Sequence, residues 1–247
     1  MTLPRLIAHR GLSAHAPENT LSAIEAAARA GITWVELDVQ CLGDGTPVIW
    51  HDAHVARCSD GGPTLLRDLT IDDARRLDVG SWFDERFIGE RILTLDDALK
   101  ALNTHGMGLN LELKMSTGHD PVQLVETVLP RVTAALPPER LLVSSFDSDA
   151  LDCARKLDAE VRLGVLYDDK IPRDWPSDVE RLRAFSVHPN WVHLNQERVI
   201  ELKRAEIKLV CYTVNEPGQF APWWEQGVDA VISDDPTLFS TGDTRTR

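Results

Sequence analysis

Residues 34–40 read Trp-Val-Glu-Leu-Asp-Val-Gln, and this strict alternation puts Val35, Leu37 and Val39 on one face of a strand and Glu36 and Asp38 on the other. Residues 109–114 repeat the pattern, with Leu109, Leu111 and Leu113 opposing Asn110, Glu112 and Lys114. Such alternation ordinarily means that one face meets water. Here strand-like and helix-like segments alternate along the whole chain, which implies a parallel sheet, and parallel sheets are covered on both faces. A covered carboxylate is costly unless a cation or hydrogen bonds compensate it. The two strands together therefore predict a buried cation site.

Strands beginning near 6, 34, 109, 141, 161, 184, 208 and 229 number eight, each followed by a crossover or the chain end. Eight parallel strands close into a (β/α)8 TIM barrel. Asn19 or Thr20 is expected to cap a helix through Ala30 that turns Leu21, Ile24 and Ala28 inward and ends at Gly31. Thr94 opens a helix to about Thr104, and Asp120-Pro121 opens one to Ala135. Further helices are expected near 148–157, 171–182, 196–205 and 217–226. The link 42–47 is too short for a helical crossover, so 48–51 should fold back antiparallel through an Asp44-Gly45 turn. Counting outward from that turn sets His51 opposite Asp38. The rest of the segment from about 40 to 93 reads as an insertion after the second strand, with a capping box at 70–73. No repeat or linker divides the chain, so residues 1–247 are expected to form a single domain.

In such barrels the chemistry sits at the carboxyl ends of the strands, where this reading places His9, Arg10, Glu36, Asp38, Glu112, Lys114, His188 and Asn215. Three carboxylates are hard oxygen donors suited to Mg2+ or Ca2+ rather than zinc. His9 and His51 offer a base and an acid of near-neutral pKa, and Arg10 and Lys114 add fixed positive charge. That combination suits displacement at phosphate. Trp82 and Phe83 are read mainly as packing for the insertion, and His188 and Tyr212 as core groups or ligand contacts alike.

The net charge of −13, from 26 basic and 39 acidic residues, argues against duplex nucleic acid or an anionic membrane surface as an obligate partner. Cys41, Cys58, Cys153 and Cys211 form no C-x-x-C pair, so reduced thiols and a cytoplasmic location are expected. The first residues show no signal-peptide pattern, and no apolar run approaches ~18 residues, so no stable membrane anchor is expected.

His9-Arg-Gly11, Ala16-Pro-Glu-Asn-Thr20, Glu36-Leu-Asp-Val39, His51-Asp52, Gly80-Ser-Trp-Phe83, Leu111-Glu-Leu-Lys114 and Tyr212-Thr-Val-Asn215 together resemble the glycerophosphodiester phosphodiesterases, in order and across essentially the whole chain. The resemblance implies a TIM barrel with an insertion after the second strand, a divalent cation, and hydrolysis of glycerophosphodiesters to an alcohol and sn-glycerol 3-phosphate. By motif, Glu36, Asp38 and Glu112 resemble the metal ligands, His9 and His51 the acid/base pair, and Arg10 and Lys114 the phosphate contacts. His9 is taken as base and His51 as acid, an assignment that the sequence leaves exchangeable, as it leaves open attack by water or by a glycerol hydroxyl. The implied partner is a small-molecule glycerophosphodiester, and a homo-oligomer is left open. The loop after Gly11, the stretch 52–58 and Leu93, where the family usually has proline, depart from the pattern without touching a proposed catalytic group; the first two are expected to border the substrate and leave the preferred alcohol undefined. A lipid-acting phospholipase would need an apolar rim, and a non-catalytic phosphate-binding barrel would be expected to lack part of the metal or histidine set; no member of that set is missing.

Overall fold

The computed structural model describes residues 3–116 and 120–239, and among them eight parallel strands close on themselves. In chain order the strands and helices are β1 (Leu6–His9), α1 (Leu21–Arg29), β2 (Trp34–Cys41), β3 (Pro47–Ile49), α2 (Ile71–Ala74), β4 (Leu93–Thr94), α3 (Leu95–Thr104), β5 (Gly108–Leu113), α4 (Pro121–Ala135), β6 (Leu141–Ser145), α5 (Ser148–Leu157), β7 (Leu163–Tyr167), α6 (Trp175–Leu182), β8 (Ser186–Pro189), α7 (Gln196–Arg204), β9 (Lys208–Cys211), α8 (Pro217–Glu225) and β10 (Ala230–Ser233). The barrel runs β1-β2-β5-β6-β7-β8-β9-β10 and closes where β10 pairs with β1. Strands β3 and β4 hang antiparallel from the outer end of β2, as the short link requires.

The outward faces of the strands are apolar and carry the helices. Val35, Leu37, Val39, Leu109, Leu111 and Leu113 lie in one buried cluster with Ile24 of α1, Leu102 of α3 and Val128 of α4. Truncating such a residue, Leu37 for example, costs about 2–5 kcal/mol because the neighbours cannot collapse onto the void. α1 is capped by Thr20, whose side chain accepts from Ala23 N, and it buries Ala23, Ile24 and Ala27. The expected face is therefore rotated: Leu21 is exposed and Ala28 only half-buried. α3 and α4 start and end as their caps dictate, and Thr70 and Asp73 close the capping box of α2 reciprocally.

Strands β7 and β8 start at Leu163 and Ser186, later than the sequence suggests, and β10 starts at Ala230 rather than 229. The Arg155 guanidinium donates to the carbonyls of Ala159, Val161 and Leu182 at 2.6–2.8 Å, so the chain just before β7 and β8 is engaged by a side chain as well as by the ladder. The hairpin register also differs by one residue. Val39 pairs with Ile49 and Gln40 with Val48, so Trp50, not His51, stands opposite Asp38. The cause is a three-residue loop: Leu42 bonds Thr46, and Gly45 takes φ 82°, a left-handed turn position that favours glycine.

Inside the barrel, side chains are layered by the pleat. Ile7, Trp34, Leu142, Val210, Ala230 and Ile232 form an apolar floor. Asn110, Ser144, Ser186 and His188 are buried neutral groups of the same barrel. Gly164 is required here, since a Cβ would sit 2.5 Å from His188 Nε2. Glu36 stands beside Asn110, and Glu112 beside Ser144. The insertion packs around its own core of Val48, Trp50, Val55, Leu66 and Val79.

Candidate active site

β2 and β5 pair with Glu36 beside Asn110 and Asp38 beside Glu112, so three carboxylates two residues apart on neighbouring strands converge. Each contributes an oxygen within 4.8 Å of the others, and all three are buried. Arg10 stands in a left-handed conformation, φ 55°, followed by Gly11 packed against Ala23. This turn aims the Arg10 backbone N–H at Glu36 Oε2 (3.1 Å) and brings Arg10 Nε within 3.4 Å of Asp38 Oδ2. Lys114, one residue past β5, sits 2.9 Å from Glu112 Oε1 and 3.8 Å from Asp38 Oδ1. Asn19, φ 58°, does not cap α1; its amide clamps Asp38, donating to Oδ2 at 2.9 Å and accepting from the Asp38 N–H at 3.3 Å.

The charges are unequal. Burial, then the neighbouring Asp38 and Glu112, push Glu36 well above the ordinary carboxylate range. Burial and Asp38 raise Glu112 to about 7 against the pull of Lys114. Asp38 feels the same burial, yet Arg10, Lys114, His51 and Asn19 hold it below its usual value. Glu36 Oε1 is buried without a hydrogen-bond partner. A trio of hard oxygens that resists carrying three negative charges, with one lone carboxylate oxygen unmatched, fits a divalent cation of the Mg2+ or Ca2+ type.

The two histidines flank this trio. His9 ends β1 beside Glu36, with Nε2 3.9 Å from Glu36 Oε2 and Nδ1 2.6 Å from Asp234 Oδ1. Asp234 also accepts from Ser13 Oγ at 3.1 Å and from Asn215 Nδ2 at 2.6 Å. These bonds outweigh its burial and hold it down to about 2. His51 carries Asp52 on Nδ1 at 2.6 Å. Asp52 takes Arg57 Nε at 2.6 Å, Arg57 spans both oxygens of Glu18 at 2.7 and 2.8 Å, and Glu18 returns to Arg10 at 2.6 Å. Asp52 is likewise held to about 2, burial being outweighed by Arg57 and His51. Burial moves His51 below its ordinary value, with Arg10 and Lys114 adding to it and Asp38 and Asp52 opposing. In both pairs a carboxylate engages Nδ1, which leaves Nε2 as the working nitrogen.

All seven sequence-predicted site residues, His9, Arg10, Glu36, Asp38, His51, Glu112 and Lys114, thus converge. His51 arrives by leaving the hairpin, not by pairing opposite Asp38. His188 is not among them: it is fully buried, bonded to Ser186 Oγ at 2.8 Å and pushed down to about 3 by burial. Tyr212 turns its hydroxyl to the Tyr167 carbonyl at 3.0 Å and its ring edge to Phe146. Phe83 meets Trp82 on one side and Phe87 on the other, both edge-to-face, within the insertion. Asp234 and Asn19 are site residues that the sequence reading did not single out. An acidic residue directly after the last strand, at the same level as His9, was the available signal for Asp234. A cavity of about 310 Å3 opens beside Glu112 and Lys114, lined also by Ser145, Phe146 and Asp147.

Residues 9–238 match the glycerophosphoryl diester phosphodiesterase family. A glycerophosphodiester phosphodiesterase of Caldanaerobacter subterraneus is 32% identical over 94% of each chain. An Oleispira antarctica phosphodiesterase, solved with the product sn-glycerol-3-phosphate, superposes with TM-score 0.91 at 36% identity, covering 96% of this chain and 95% of that one. A glycerophosphodiester phosphodiesterase of Thermotoga maritima superposes with TM-score 0.77 at 27% identity over 96% of this chain and 97% of its own. The chain belongs to the glycerophosphoryl diester phosphodiesterase family.

Proposed function

We propose that this phosphodiesterase hydrolyses glycerophosphodiesters to an alcohol and sn-glycerol 3-phosphate by histidine acid/base catalysis beside a carboxylate-bound divalent cation. The observation that carries the reading is a pair of imidazoles, each oriented through Nδ1 by a carboxylate, on either side of three buried carboxylates. Glu36, Asp38 and Glu112 would hold the cation, which when bound supplies Lewis-acid charge to the phosphate. His9 Nε2 takes the proton of the attacking group, either water or the neighbouring glycerol hydroxyl, the latter giving a cyclic phosphate that water then opens, and Asp234 stabilises the imidazolium that results. His51 gives its proton to the departing alkoxide. Arg10 and Lys114 bind the nonbridging oxygens and share the charge that builds at phosphorus. The cavity beside Lys114 and Phe146 has room for one end of a small diester. The residues form one catalytic domain, and a cytoplasmic location is part of the reading, supported by cysteine spacing that builds no disulfide framework. No helix among the described residues is long and apolar enough to cross a membrane.

A coupled glycerol 3-phosphate assay over glycerophosphocholine, -ethanolamine, -glycerol and -inositol tests the reading. Chelation should abolish turnover, and Mg2+ or Ca2+ should restore it. Full activity in protein with verified nil metal content would contradict it.

A further inference from the structure

Gln40 follows Asp38 on the inward face of β2 and has no exposed surface. Its amide Nε2 lies 2.9 Å from the carbonyl of Trp50, 2.9 Å from that of His51 and 3.1 Å from that of Asp52. Its Oε1 accepts from Ser116 Oγ at 2.7 Å, two residues beyond Lys114. The hairpin ladder ends just before this point, its last bond being Trp50 N–H to Asp38 O at 2.9 Å. One carboxamide thus takes over where strand pairing stops, and it gathers three successive carbonyls of the segment that bears His51.

The chemistry explains why glutamine stands here. An amide NH2 has two protons, which three carbonyls can share, and the remaining oxygen is free to accept. A carboxylate in its place would face three carbonyl oxygens with no proton to offer. A lysine would add a cation next to the cluster of Arg10 and Lys114. The neutral amide satisfies the carbonyls and leaves the electrostatics of the trio unchanged. Through Ser116 it also ties the chain after Lys114 to the same strand.

We infer that Gln40 is a positioning residue for His51: it fixes the backbone from Trp50 to Asp52 against β2, so that the imidazole is held over the carboxylates that this strand carries. The inference rests on the acid role proposed for His51. It separates Gln40 from ordinary core polar groups, because a residue that sets only the stability of the fold would affect all substrates alike. A residue that sets the place of the acid matters most where the leaving group needs a proton.

Gln40→Met, which keeps the volume and removes both donor and acceptor, is measured on glycerophosphocholine and on a p-nitrophenyl phosphodiester of glycerol, beside His51→Ala and wild type. Divalent-cation affinity is read by calorimetry and folding by thermal melting. The expected result is a loss in kcat of about 10- to 100-fold on the choline ester and under about threefold on the aryl ester, with cation affinity unchanged. Equal losses on both substrates, or none, while His51→Ala shows the contrast, would overturn the positioning role and leave the acid role standing. Absence of the contrast in His51→Ala would instead remove the acid role, and the inference with it. Should Gln40→Met fail to fold, Ser116→Ala decides: an about threefold or larger loss confined to the choline ester supports the inference, and any other pattern overturns it.

Discussion

His9 and His51 present the same local chemistry on unequal supports. His9 ends a strand that is paired on both sides within the closed barrel, and its carboxylate partner directly follows the adjoining strand. His51 stands beyond the last ladder bond of an edge hairpin, and its partner is its own neighbour in sequence. Asp234 is fixed by neutral donors, Ser13 and Asn215. Asp52 is fixed by Arg57, the outermost member of a chain of charges that leads through Glu18 to Arg10. The barrel therefore fixes one imidazole by its backbone, while the other depends on a buried amide and a partly solvated ion network. On the roles proposed above, the attacking side is built on the closed barrel and the leaving side on an edge hairpin.

The comparison can be broken first at Asp234. Asp234→Asn leaves the shape in place but presents His9 with an amide, and kcat should fall about 10- to 100-fold, equally on alkyl and aryl substrates. A loss confined to alkyl esters would mean that His9 serves the leaving group. Next comes Arg57→Gln, which frees Asp52 and Glu18. A loss of about three- to tenfold is expected on glycerophosphocholine alone. The gap to wild type should narrow as salt is raised, because the Arg57 side chain is 46% exposed and its pairs are screened. A gap insensitive to salt would mean that Arg57 acts through packing.

The smallest effect is on stability. Asp234 folds with its pKa at about 2, below the value of about 3.9 it has in an unfolded chain. Its ionised form therefore stabilises the fold at neutral pH, and that contribution fades as pH falls from about 4 toward 2. Denaturant melts should find Asp234→Asn less stable than wild type near pH 7, with the difference shrinking below about pH 4. A difference independent of pH would trace to shape rather than charge.

Much of this was legible in the chain. The period-two pattern of 34–40 and 109–114 was enough to put three carboxylates inside a covered sheet, because the pleat leaves no other arrangement for those residues. Thr94 and Asp120 marked their helices because a cap acts through its own next three residues. What failed depended on distant or fine geometry. The hairpin count missed by one residue because a three-residue loop with Gly45 left-handed replaced a two-residue turn, and sequence alone does not separate the two. The reading of α1 chose the wrong edge of its apolar stripe, since Leu21 and Ala27 lie on opposite flanks of Ile24. Asp234 lies 225 residues from His9, and only closure of the barrel brings them together. His188 has the inward parity of a site residue, but Gly164 leaves room for its ring, which bonds Ser186 and not the carboxylates. Gln40 was visible as the polar end of the alternating strand; its role required knowing where the ladder stops.

The central claim, that the two histidines divide the reaction between attack and departure, is tested most directly by kcat of His9→Ala and His51→Ala on two substrates, with cation binding shown to be unchanged. Glycerophosphocholine must lose an alkoxide, which needs a proton, whereas p-nitrophenolate leaves with little help. General acid/base groups contribute ~10²- to 10⁴-fold, so the contrast is large enough to resolve. His9→Ala should lose both activities, and His51→Ala should lose most of its activity on glycerophosphocholine while keeping a substantial share on the aryl diester. The reverse pattern would exchange the two roles, and equal modest losses in both variants on both substrates would contradict the division altogether.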